Sequence, residues 1–154
     1  MAKQKAAVSR QLAPRTLIID NGAHSIKAGF SSTTEPNTST DDCQVIPNCL
    51  AYSQRDRRTY IGAELDGCQD YGELQFRRPV EKGFIVNWEG EKSIWEHSFL
   101  EKKARLHCDP HETNLILTEP PNAPAALQRN ADEIVFEELE FANYYRCMGS
   151  SVAP

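Results

Sequence analysis

Long apolar runs are missing from this sequence. No stretch approaches the roughly 20 apolar residues that a helix needs to cross a bilayer, and no secretory apolar core stands near its start. No membrane association is expected. Cysteine pairing is missing as well: Cys43, Cys49, Cys68, Cys108 and Cys147 are five, an odd number, with no Cys-x-x-Cys spacing. They read as reduced thiols of the cytosol or nucleus. A basic excess is the third absence. Lys and Arg total 17 against 22 Asp and Glu, for a net charge of −5, so no basic face dominates and direct nucleic-acid binding is not expected. The longest basic clusters, Arg55 with Arg57-Arg58 and Arg77-Arg78, read by themselves as solvated edges. One cluster has metal-like spacing, His107-Cys108-Asp109-Pro110-His111, but Pro110 breaks the helical face that would bring the two histidines together. A polar loop without metal is expected. Acids are absent from residues 1–14, MAKQKAAVSRQLAP, a segment expected to be a disordered leader.

What is present suits one soluble domain. A chain of 154 residues buries roughly 70% of its unfolded surface on folding. Strand-like runs at 16–19 and 25–30 flank Asn21-Gly22, a dipeptide that accepts positive φ and favours a hairpin turn. The polar stretch 31–42 predicts a surface loop, and short strands are expected at 49–52, 59–61 and 74–76, the last stopped by Arg78-Pro79. Asn87 is a suitable N-cap for a helix running to about Lys103. Glu89 and Glu91 lie in its first turns, Lys102, Lys103 and Arg105 near its end, and Ile94, Trp95 and Phe99 on one buried side. Residues 114–118 read as a fully buried strand. A second helix is expected over 124–140, with Leu127, Ala131, Ile134, Val135 and Leu139 on one face. Alternating strands and helices imply an α/β layer architecture.

Four stretches carry a family resemblance. DNGAHSIKAGF (20–30), YIGAEL (60–65), RRPVEKGFIVNWEGEKSIWEHSF (77–99) and LILTEPPNAPAALQRNADEIVFEE (115–138) closely resemble the first third of an actin-family chain. The resemblance runs from Arg15 to about Arg146, and the segment 83–95 is the most specific to actins and actin-related proteins. It implies the N-terminal part of the actin-like, ribonuclease H-like ATPase fold: a mixed sheet of about five strands flanked by helices, over residues 15–147, with a small β-rich excursion at about 42–76 and a tail at 148–154. The sequence is expected to be an incomplete form of that fold. Apolar surface on the second helix and on 141–145 should then be left uncovered.

The resemblance also implies a phosphate-binding hairpin, with ATP and Mg²⁺ as possible cofactors of the complete fold. Asp20 would hold metal-bound water, Asn21 and Gly22 would form the loop, and Lys27 would neutralise phosphate charge. The chain departs from the family where actins carry a serine and then a glycine. Ala23 lacks a hydroxyl donor there, and His24 brings an imidazole to a close backbone approach. Gly149 stands where actins carry the glutamine that positions the attacking water. A vestigial nucleotide site without ATPase activity is therefore expected. The stretch 48–59 is shorter than the loop with which actins grip the next protomer, so filament formation is not expected.

Within the family, 77–88 and FEELEFANYYR (136–146) most resemble a nuclear class of actin-related proteins, subunits of the remodelling complex that exchanges histone H2A for H2A.Z. That resemblance implies a scaffold subunit, nuclear and also cytoplasmic, contacting other remodeller subunits directly and histones indirectly. Arg55, Arg57 and Arg58 are its candidate partner-binding residues. An ATP-binding protein with residual hydrolysis and a cytoskeletal protein are the alternatives.

Overall fold

The computed structural model describes residues 15–31 and 43–149. The leader, nearly all of the 31–42 loop and the tail beyond Gly149 lie outside the described residues. The chain runs β1 (Arg15–Asn21), β2 (Ser25–Phe30), β3 (Gln44–Pro47), β4 (Leu50–Ser53), β5 (Arg58–Ile61), β6 (Leu74–Arg77), β7 (Val80–Glu81), β8 (Phe84–Ile85), α1 (Trp88–Trp95), β9 (Thr113–Glu119), α2 (Ala125–Glu133) and β10 (Asn143–Met148). Five strands form the main sheet in the order β10-β9-β1-β2-β3. β1 pairs antiparallel with β2, which pairs antiparallel with β3, whereas β9 lies parallel to both β1 and β10. This is the expected α/β fold with a mixed sheet.

Alternation explains why these strands hold. Leu17 and Ile19 of β1, Ile26 and Ala28 of β2, and Leu115 and Leu117 of β9 point into one core, which α1 fills with Ile94 and Trp95. The same alternation corrects the expectation of a fully buried β9. Asn114, Ile116 and Thr118 are only half-buried, because the second face of the sheet is less completely covered. Strands β3 and β10 were not expected. Each is an edge strand with little buried, one fully buried residue in β3 and none in β10, so neither gives a clean apolar run.

Both helices begin as expected and end differently. Asn87 caps α1, its Oδ1 accepting from the Gly90 N–H at 3.1 Å. The helix then widens into a π turn over Glu96–Leu100, and Glu101 is already extended. Lys102, Lys103 and Arg105 therefore lie beyond the helix and do not complement its dipole. The wider turn keeps Ser98 and Phe99 buried, with Phe99 edge-on to Trp95 at 6.3 Å between ring centres. Helix α2 likewise passes into a π turn over Ile134–Glu138. Its apolar stripe is covered, not open: Ala131, Val135 and Leu139 are buried, and so is Phe141. Of the surface expected to be bare, Phe136 and Tyr145 are exposed, together with Met148.

Gly22 corrects another detail. Its φ is not positive, and the described glycines with positive φ are Gly62 and Gly83. Room is what position 22 requires, since a Cβ there would lie 2.7 Å from the Ser25 carbonyl oxygen. The excursion, β4 to β6, is a three-stranded sheet in the order β5-β4-β6 with its own small core of Cys49, Ala51, Tyr60, Leu65 and Cys68. The chain leaves the main sheet for it at Asn48 and comes back at Arg78 into the separate β7-β8 hairpin that precedes α1. All five cysteines are free.

Candidate functional site

The ends of β1 and β9 and the start of β2 bring the expected residues together. Asp20, next to last in β1, has its carboxylate at the surface: Oδ1 accepts from the Thr118 hydroxyl at 2.7 Å, and Oδ2 lies 3.7 Å from Lys27 Nζ. Asp20 and Lys27 side chains are 51% and 60% exposed, so their attraction is heavily screened. Cys147 of β10 packs at the same end of the sheet. Burial pushes its thiol pKa up, and the Asp20 charge adds to that rise.

Between Asp20 and Lys27 the loop is held by its carbonyls. Gly22 O accepts from Asn48 Nδ2 at 3.0 Å, and His24 O from the Asn48 N–H at 3.0 Å. One guanidinium nitrogen of Arg78 reaches both Ala23 O, at 3.2 Å, and His24 O, at 3.4 Å. Because a trans peptide sets each carbonyl opposite the following N–H, the Ala23 and His24 amides turn away from these anchors. Successive amides facing one way suit an anion. Both anchors stand at the neck of the excursion, Asn48 on the way out and Arg78 on the way back.

Under the loop lies a polar network that sequence reasoning missed. Glu91 of α1 is fully buried. Its Oε1 accepts from Trp95 Nε1 at 2.9 Å and from Asn48 Nδ2 at 3.2 Å, and its Oε2 lies 3.3 Å from the same Asn48 nitrogen. Trp95 Nε1 also reaches Asn21 Oδ1 at 3.2 Å. The Asn21 side chain therefore faces inward, and only its backbone belongs to the loop surface. Burial pushes the Glu91 carboxyl up to about 7, while the polar side chains of Asn21, Asn48 and Trp95 beside it pull it back. Asn21 Nδ2 and Asn48 Oδ1 are buried without a partner in hydrogen-bond geometry. The signal for this network was an acid four residues before Trp95 on an apolar stripe, joined to an asparagine directly after Pro47.

The remaining candidates lie apart. Arg55 pairs with Asp70 at 3.6 Å, and Arg58 pairs with Glu64 at 3.3 Å and covers the Tyr60 ring at 4.2 Å. Arg57 sits in the intervening turn with φ 52°. These guanidinium groups edge the excursion, away from the hairpin. Among the described residues no cluster of His, Cys, Asp and Glu could hold a metal ion, and 107–111 is a capped turn in which Asp109 accepts from the His111 N–H. A small cleft beside the hairpin is lined by Trp88, Leu117 and Leu127 among others and touches the loop only through Asn21. The Asp20–Lys27 pair is outside it.

This donor set fits an actin-type nucleotide site only in part. The outward amides, Asp20 and Lys27 suit phosphate and hydrated metal. Ala23 offers a methyl where a hydroxyl donor would stand, and Gly149, against Thr118, has no side chain with which to orient water.

Comparison with known proteins agrees with this geometry. The family profile described as Actin matches residues 12–153. The chain is 52% identical to Actin-related protein 6 of Neurospora crassa over 148 residues, covering 96% of this chain and 32% of that protein. It is 42% identical to Actin-like protein arp6 of Emericella nidulans, covering 99% of this chain and 34% of the relative. Against Actin-related protein 6 of Drosophila melanogaster the identity is 31%, over 92% of this chain and 34% of the relative. The chain spans about a third of the length of these curated relatives. With its mixed sheet, its phosphate-type hairpin and this match along nearly its whole length, the chain belongs to the actin family.

Proposed function

We propose that this actin-related chain serves as a scaffold subunit of a nuclear chromatin-remodelling complex of the type that exchanges H2A for H2A.Z, and not as an ATPase. The observation that carries this reading is the hairpin itself. Its backbone is firmly anchored by Asn48 and Arg78, while Ala23 and Gly149 lack the side-chain chemistry that hydrolysis requires. A fold kept in place while its site chemistry is altered supports a structural role. The resemblance of 77–88 and 136–146 to the nuclear class supports the remodeller setting, with residence in the nucleus and also the cytoplasm. Contact with partners is assigned to the excursion edge at Arg55, Arg57 and Arg58, and contact with histones is indirect.

Affinity capture from nuclear extract tests this reading. Remodeller subunits and histone-variant machinery should co-purify with the chain, and charge reversal at Arg55, Arg57 and Arg58 should weaken their recovery. Recovery of filament proteins instead would favour a cytoskeletal role. A second reading, ATP binding with residual hydrolysis, is favoured by one observation only: Asp20 and Lys27 stand together beside outward-facing amides. It requires nucleotide affinity that depends on Lys27.

A further inference from the structure

Glu91 is a fully buried acid that faces no counter-ion among the described residues. Its neighbours are Asn21 at the end of β1, Asn48 after β3, and Trp95 on its own helix. Charged side chains on the surrounding elements are engaged elsewhere. Asp20 and Lys27 face each other, Arg78 holds loop carbonyls, and Lys92 pairs with Glu138 and Glu96. Glu89 and His24 are exposed. Every donor on the Glu91 carboxyl is shared with the loop. Trp95 has a single indole N–H for two acceptors, Glu91 Oε1 and Asn21 Oδ1. The Asn48 amide nitrogen has two, one on Gly22 O and one on the carboxyl oxygens.

We propose that Glu91 is a proton-operated latch for the hairpin loop, its charge relayed through Trp95 and Asn48 to residues 21–24. The ionised carboxyl only accepts, so it holds the Trp95 N–H and the Asn48 amide in the arrangement described. That arrangement leaves Asn48 Oδ1 buried and idle. A protonated carboxyl is itself a donor. Rotation of the Asn48 amide then presents Oδ1 to the new O–H and withdraws Nδ2 from the Gly22 carbonyl. At the same time the Trp95 N–H passes fully to Asn21. Both changes act on the loop, one on its backbone and one on its first side chain. The burial that pushes the Glu91 carboxyl up to about 7 places the change within the neutral range.

The test is ¹H–¹⁵N NMR of the 154-residue chain titrated from about pH 5.5 to 8.5, in a His24→Asn background that removes the imidazole from the loop itself. The Trp95 indole and the Gly22 and Ala23 amides should shift with one shared midpoint. Glu91→Gln should abolish both titrations. Asn48→Ala should leave the indole titration in place and reduce the shift of the loop amides at least several-fold. Loop amides that stay flat while the indole titrates, or a loop titration that persists in Glu91→Gln, would overturn the proposal. Where Glu91→Gln does not fold, the parent chain and Asn48→Ala decide by the same criteria.

Discussion

The two sides of the hairpin obey different electrostatics. On the outer side Asp20 and Lys27 are charged, exposed and 3.7 Å apart. On the inner side Glu91, Asn48 and Trp95 form shorter contacts with one ionisable group and almost no solvent. Water screens the outer pair to a small net effect, whereas burial magnifies every change in the inner network. The residues that look catalytic should therefore matter least to the loop's integrity, and the residues beneath it most.

The largest expected effect is on the inner side. Trp95→Ala removes a buried ring packed against Trp88 and Phe99 and strips Glu91 of its shortest donor bond. It should cost about 3–5 kcal/mol, read as a lowered urea midpoint. Acidity comes next. The folded pKa of Glu91 is raised from 4.5 to about 7, so between those values the native state binds more protons than the unfolded one. Its contribution is fully present below about pH 4.5 and is lost as pH rises through about 7. From this group alone, stability should fall by about 3 kcal/mol on that rise. Glu91→Gln should flatten that part of the profile, as denaturant titrations at several pH values would reveal.

Asn48→Ala should be intermediate. It breaks the contacts to Gly22 O and Glu91 together and should cost about 2 kcal/mol, with faster amide exchange at 22–24 as its local signature. Smallest is the outer pair. Lys27→Ala should change stability by less than about 1 kcal/mol. A Lys27→Ala effect as large as that of Asn48→Ala would reverse the comparison between the two sides.

How much of this was legible beforehand follows the same division. The hairpin, the strands of the excursion, β9 and both helix starts announced themselves through short apolar runs, turn residues and the Asn87 cap, all local signals. Strands β3 and β10 did not, because edge strands bury too little to write an apolar pattern. The end of the first helix was misplaced because burial of Phe99 in the π turn outweighed the charge order that suggested a longer helix. At the site, Asp20 and Lys27 were readable as a motif. Asn48 and Arg78 were not, since their role depends on where the excursion begins and ends relative to the hairpin loop. Glu91 sat visibly on an apolar stripe, but only the fold shows which donors meet it.

The central claim, that the hairpin is retained as a structural element and not as a working nucleotide site, is tested most directly by equilibrium binding of labelled ATP with Mg²⁺ to this chain and to Lys27→Ala. The account predicts little retention by either and no measurable difference between them. Micromolar affinity that Lys27→Ala abolishes would contradict it and place the outer pair, Asp20 and Lys27, at the centre of the protein's function.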